Sequence, residues 1–202
     1  VYTYDGANRR LRKVVTNCGS ISQDTRFYYT GWRCLEDRAI TTSGGWAETL
    51  LAQYTWGGRY LDELVSFARD TSTTPDGTLD RTGFVHQDAL YSSVAVVLDD
   101  PNDETNDGQV LETYQYDPYG RATILDKAAA PLATSALKLP FLFTGQRLDE
   151  ETGKYYFKHR YCDSVAGRFT SHDPIGYGGA PAKNPCIWRP GRHPLYRCRP
   201  PA

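Results

Sequence analysis

Ser171, His172 and Asp173 bring together the three residue types of a hydrolytic triad. They are consecutive, however. On an extended chain successive side chains point to opposite sides, so His172 faces away from both neighbours and no nucleophile–base contact forms. Asp173 stands before Pro174, and the pair reads as a turn. His86 and His159 are isolated and read as satisfied or solvated side chains. Cys186, His193 and Cys198 have metal-ligand chemistry, but a Pro-rich tail does not hold ligand geometry. The five cysteines contain no Cys-x-x-Cys pair and give no disulfide framework. A Gly-rich phosphate loop and a His-Glu-x-x-His pattern are both missing. The sequence therefore predicts no metal and no cofactor.

The elements that would position any site are β-strands. Tyr occurs 15 times against 7 Phe and no Met, a composition suited to pleated, half-buried surfaces. "VYTYDGANRRLRKVV" opens with alternation, and Asp5-Gly6-Ala7-Asn8 fits a type I turn. "LETYQYDPYGRATIL" repeats the design: Tyr114 and Tyr116 alternate with Gln115, Asp117-Pro118-Tyr119-Gly120 turns, and Arg121 follows as Arg9 and Arg10 follow the first turn. A second echo, aromatic-Thr-Gly-x-Arg, appears at Tyr29–Arg33 and Phe143–Arg147, with "YTWGGR" at 54–59 a looser copy. These units mark repeated hairpins, each marginal alone and in need of a neighbour for its aromatic face. Residues 66–83 are polar and predict a loop with a disordered tip, and "LYSSVAVVLDD" predicts a buried strand. The acidic run "DDPNDETND" reads as a solvated hairpin loop. Asp149–Gly153 reads as a polar turn inside a three-stranded meander that continues through Tyr155-Tyr156-Phe157 and Arg168-Phe169.

The formal net charge of −1 gives no sign of nucleic acid as a partner. No run approaches the ~20 apolar residues of a membrane span. Val1 is not Met and no apolar signal region follows it, so the chain is expected to be a portion of a longer product.

"FTGQRLDEETGKYYFKHRYCDSVAGRFTSHDPIGYGG", residues 143–179, together with Tyr4-Asp5…Arg9 and "GQVLETYQYDPYGR", resembles the RHS/YD-repeat family, the first stretch being similar to the C-terminal part of its repeat-associated core. The motif positions are Tyr4, Asp5, Arg9, Tyr116, Asp117, Gly120, Arg121, Gly145, Gln146, Arg147, Gly153, Tyr155, Tyr156, Arg160, Tyr161, Gly167, Arg168, Phe169, Pro174 and Gly176. The resemblance implies an all-β fold in which consecutive hairpins form part of a spiralling shell, closed at one end by the core. It implies secretion or surface display, with two partners: upstream repeats of the same chain and an enclosed C-terminal effector. It also implies an aspartyl-type self-cleavage that needs two carboxylates sharing a proton. Asp173 matches one of them. No acidic residue follows it, so the second is missing.

The expected organisation is hairpin repeats over 1–126, a linker or short helical turn over 127–140, the core over 141–179, and a disordered, degenerate Pro/Arg-rich tail over 180–202, with a frameshift or a degenerate gene end as the hypothesis for its origin. The leading functional expectation is a structural wall segment. A self-cleaving core with Asp173 and a surface module whose Tyr-rich faces meet cell-surface glycans are the alternatives.

Overall fold

The computed structural model describes residues 1–17, 20–41, 45–99 and 105–174. The chain divides into two compact units, Val1–Thr170 and Ser171–Ala202, and only Ser171–Pro174 of the second are described. Gly176, the tail over 180–202 and most of the acidic run therefore lie outside the described residues.

The first unit is built from hairpins. Strands β1 (Tyr2–Tyr4), β2 (Arg10–Asn17), β3 (Ser20–Thr30), β4 (Arg33–Thr41), β5 (Ala47–Trp56), β6 (Leu64–Arg69), β7 (Arg81–Gln87), β8 (Ser93–Asp99), β9 (Val110–Tyr116), β10 (Ala122–Asp126) and β11 (Pro131–Leu132) form one antiparallel sheet in chain order. A 3₁₀ turn at Phe143–Gly145 leads into a second sheet of β12 (Arg147–Asp149), β13 (Lys154–Phe157), β14 (Arg160–Asp163) and β15 (Arg168–Phe169). The all-β class and the consecutive hairpins are as the sequence predicts. Among the described residues no helix is long and apolar enough to cross a membrane. Residues 127–140 hold a turn, the short strand β11 and a loop.

Three local readings change. Residues 66–83 are not one loop throughout: β6 takes 66–69 and β7 takes 81–83, which leaves the loop at 70–80. Phe67 is buried to 1 % exposure, which the polar neighbours conceal in sequence. The remaining loop is organised by Asp70, whose carboxylate accepts from the N–H groups of Ser72, Asp76 and Gly77 at 2.8 Å each. The meander has four strands rather than three. The polar turn stands where expected, with the Asp149 carbonyl accepting from the N–H groups of Thr152 and Gly153, but the Asp149 side chain is fully buried at the end of β12.

One turn design recurs at Asp5, Asp88, Asp117 and Asp126. In each, Oδ1 accepts the N–H two residues on (Ala7, Leu90, Tyr119, Ala128) and the N–H four residues on (Arg9, Ser92, Arg121, Ala130). The residue three on has positive φ: Asn8, Tyr91, Gly120 and Ala129. Asn and Gly tolerate that conformation, and Tyr and Ala do so at a cost. Ala129→Gly is therefore expected to stabilise the fold by ~0.5–1 kcal/mol, read as a raised midpoint in urea.

The long sheet is curled. Lys13 of β2 and Ile124 of β10 line one cavity of about 480 Å³. In a flat sheet, strands eight places apart would lie roughly 38 Å from each other. Register shifts interrupt most pairings from β1–β2 to β8–β9, and such bulges bend and twist a ribbon. The chain from Ser135 to Tyr156 packs onto the covered face, where Leu137, Leu139, Phe141, Leu142 and Tyr155 meet Phe27, Tyr54, Phe67, Val96, Leu98, Tyr114 and Ile124.

Candidate functional site

An antiparallel meander places alternate turns at one end. Here these are residues 5–9, 31–32, 57–63, 88–92 and 117–121. Residues 141–167 reach all of them. At the first turn, Tyr156 Oη donates to the Asn8 carbonyl at 3.1 Å, and the Asn8 side chain meets His159 Nδ1 at 3.2 Å. At the second, Trp32 packs edge-on against His159, 5.0 Å between centroids. At the third, Lys158 pairs with Asp62 at 2.9 Å and Gln146 Nε2 donates to the same carboxylate at 3.0 Å. At the fourth, the Thr144 N–H donates to Ser92 Oγ at 3.1 Å, and the next residue, Ser93, donates to the carbonyls of Leu142 and Phe141. At the fifth, Tyr155 Oη donates to the Gly120 carbonyl at 2.9 Å, and the ring of Phe143 lies where a Gly120 side chain would sit.

Adjacent residues of β13 thus clasp the first and fifth turns. Tyr155 and Tyr156 point to opposite sides of the strand, as alternation requires. Burial pushes the Tyr156 hydroxyl up to about 12, so it remains a proton donor throughout the neutral range. The turns are also tied in series, since Arg9 Nη1 donates to the Gly31 carbonyl at 2.7 Å and Arg33 donates to the carbonyls of Tyr60 and Leu61.

Two buried ion pairs cross from the sheet to this segment. Arg147 donates both Nη groups to Asp37 at 2.8 Å, and Tyr54 Oη adds a third bond to that carboxylate at 2.8 Å. Burial pushes Asp37 upward, but Arg147 and the hydrogen bonds outweigh it and hold the group below the usual carboxylate range. Arg10, with no exposure, donates Nη1 to Asp149 at 2.5 Å. Among the described residues its Nε and Nη2 have no hydrogen-bond partner. The guanidinium instead faces the rings of Tyr2, Phe27 and Tyr156 at 4.7–5.0 Å, contacts that contribute about 0.5–2 kcal/mol each when desolvated. Phe27 is shared, because Arg147 lies 4.8 Å from the same ring.

Glu112 is a third clamp without a cation. It is 2 % exposed. It accepts from Tyr114 Oη, from Ser135 Oγ at 2.7 Å and from the Leu137 N–H at 3.0 Å. Those bonds fix the loop that leaves β11 and crosses the sheet. Ser135→Ala is expected to cost about 1–2 kcal/mol, because it leaves one buried carboxylate oxygen short of a donor; a chemical-denaturation midpoint checks this.

Most of the motif positions meet here. Asp5 and Asp117 build the first and fifth turns, and the N–H groups they accept, from Arg9 and Arg121 first, lower both carboxyls. Gly145 lies against Asp62, with no room for a Cβ. Tyr116 donates to the Ser93 carbonyl at 2.7 Å. Tyr161 stacks on Tyr2 and shares a hydroxyl contact with Tyr4 at 3.0 Å. Arg160 lies over Phe169 at 3.8 Å. Gly153 and Gly167 take the positive φ of their turns, and Tyr119 packs on the latter. Arg168 is exposed opposite Asp163. Asp173 and Pro174 belong to the second unit and are exposed. Sequence reasoning missed Arg10, Asp37, Asp62, Glu112 and Lys158 as clamp residues. Their only signal was a charge at a strand or turn position where alternation points inward.

Comparison with known proteins gives the fold a context. No family model matches the chain. It is 31 % identical to the toxin protein Tse5 of Pseudomonas aeruginosa, over 89 % of this chain and 14 % of that protein. It is 30 % identical to the toxin subunit YenC2 of Yersinia entomophaga, over 87 % of this chain and 17 % of the relative. Against the double-stranded DNA deaminase toxin A of Burkholderia cenocepacia the identity is 26 %, over 93 % of this chain and 15 % of that protein. The chain thus spans about a sixth of the length of each of these three relatives. Among solved structures, the Photorhabdus luminescens Tc holotoxin pore superposes with a TM-score of 0.60 and 20 % identity, covering 87 % of this chain and 8 % of that one. The TcdB2–TccC3 crystal structure gives 0.58 and 22 % with the same coverage. This chain shares their fold.

Proposed function

We propose that this chain is a wall segment and end closure of an RHS/YD-repeat toxin, and that the complete protein encloses its own C-terminal effector. One observation carries the reading: residues 141–167 bind all five turns at one end of a curled sheet. A catalytic site gathers reactive groups around an open pocket. Here Arg10, Arg147 and Lys158 are spent with their carboxylates on joining segments to one another. The toxin relatives and the shared fold support the same reading, and make delivery outside the producing cell the expected setting. Upstream hairpins would add to the outer edge of β1, which lies at the end of the sheet.

The test is limited proteolysis of the protein extended through its flanking coding sequence. The downstream part should stay intact while the wall is folded, and be digested once Arg10→Met or Arg147→Met opens the closure. Digestion at the same rate with and without an intact wall overturns the reading. Asp173 enters as the residue that sets the turn before Pro174. Loss of mass from the isolated chain during incubation at pH 5 to 7 would make it catalytic instead.

A further inference from the structure

The cavity of about 480 Å³ on the covered face has the size of a ligand site. Apolar walls come from Phe27, Leu51, Ile124, Leu139 and Leu148. Two of its charged couples are already satisfied: Arg147 with Asp37, and Lys13 with Glu151 at 3.2 Å. Three cations remain, Arg69, Arg121 and Lys138, against the single carboxylate of Glu150.

Arg69 is the informative one. It lines the cavity; among the described residues its Nε is buried with no hydrogen-bond partner, and no carboxylate comes within ion-pair distance of the guanidinium. Asp37, whose carboxyl Arg69 helps to lower, is already held by Arg147 on both oxygens. A guanidinium beside apolar walls with no carboxylate partner is stabilised by an anion that enters the cavity. The buried Nε is closed to a ligand, so it is the paired Nη groups that present a planar fork to a carboxylate. Arg121 and Lys138 are both exposed and add positive charge to the lining.

We propose that this cavity is a binding site for an acidic side chain of an extended peptide, glutamate before aspartate, with Arg69 as its carboxylate partner. The longer stem of glutamate lays more methylene against the apolar walls. The inference deepens the enclosure reading, because a peptide seated here would lie on the covered face of the wall.

Calorimetry on the 202-residue chain at low salt tests it, using a capped pentapeptide with a central Glu, its Gln counterpart, and free glutarate. The Glu peptide should bind at least ten-fold more tightly than the Gln peptide and more tightly than glutarate. Arg69→Met should abolish the Glu–Gln difference, and Arg69→Lys should keep part of it. Should Arg69→Met fail to fold, the Lys variant and the loss of binding in 0.5 M salt keep the test decisive. Equal binding of the two peptides, an unaltered difference in either Arg69 variant, or glutarate binding as tightly as the Glu peptide overturns the proposal. Downstream protection in the proteolysis experiment is read independently, so it can persist when peptide binding fails.

Discussion

Arg147→Met should lose about 3–5 kcal/mol of unfolding free energy at pH 7, the usual cost of removing one partner of a buried pair. The substitution keeps most of the packing volume and strips Asp37 of the cation that donates to both its oxygens. For a unit of this size the midpoint temperature should fall by roughly 10 °C. The pH dependence separates charge from packing. In the native protein Asp37 sits below its unfolded value. Its contribution is therefore present above the ordinary carboxyl range near pH 4, and is lost as pH falls through the folded value. Without Arg147, burial dominates and the folded value rises above the unfolded one, with Arg69 limiting the rise. The contribution then reverses: it is present at low pH and lost as pH rises. The gap between native and variant should be widest at pH 7 and shrink toward pH 4.5 in urea titrations. An equal gap at both values would show that packing around Phe27 and Phe141, not charge, carries the effect. Asp37→Leu combined with Arg147→Met should recover most of the loss, because no uncompensated charge then remains.

That recovery bears on what the ion pairs are for. Burial of Leu137, Leu139, Phe141, Leu142 and Tyr155 stabilises the closure by ~1.5–3 kcal/mol per side chain, which outweighs any net gain from two desolvated pairs. Apolar contacts alone, however, would allow the segment to slide along the curled face. Fixed partners at Asp37, Asp62, Glu112 and Arg10 specify one register. Apolar replacements should therefore yield a stable fold whose closing segment exchanges amide protons faster, the reverse of what a purely energetic role predicts.

How much of this was legible in sequence follows from range. Short-range signals were readable: the Tyr alternation of β1 and β9, the Asp5 and Asp117 turns, and the motif from Phe143 to Phe169. The Asp88 and Asp126 turns were hidden because Tyr91 and Ala129 occupy the left-handed position where Gly or Asn would announce it. The repeated aromatic-Thr-Gly-x-Arg pattern also conceals a division of labour. Gly31 makes a tight hairpin turn between β3 and β4, whereas Gly145 makes a close approach to Asp62. Three of the clamps, Asp62–Gln146, Asp37–Arg147 and Arg10–Asp149, join residues 84 to 139 positions apart. No local pattern encodes which Asp meets which Arg, and a curled sheet is needed before Asn8 and Gly120 can share one strand.

Gly145→Ala should be the most damaging glycine substitution in the motif, and Gly153→Ala supplies its control. Both residues have nearly the same backbone angle, φ +66° and +65°, so each alanine carries the same left-handed penalty of ~1 kcal/mol. They differ in what the new methyl group meets. At Gly153 nothing lies within 4 Å. At Gly145 a Cβ would stand 2.7 Å from both the Asp62 carbonyl oxygen and the Asp62 Cβ, and backbone cannot rotate out of the way. Overpacking adds about 1–3 kcal/mol. The clash also separates Asp62 from Gln146 and Lys158, which leaves that carboxylate without its partners. Gly153→Ala should thus lower stability by about 1 kcal/mol and Gly145→Ala by about 3 kcal/mol or more, with a proteolytic cut appearing between residues 133 and 150 only in the latter. Equal losses at the two positions would mean that the third turn does not seat the closing segment, and the reading of residues 141–167 as an end closure would fall with it.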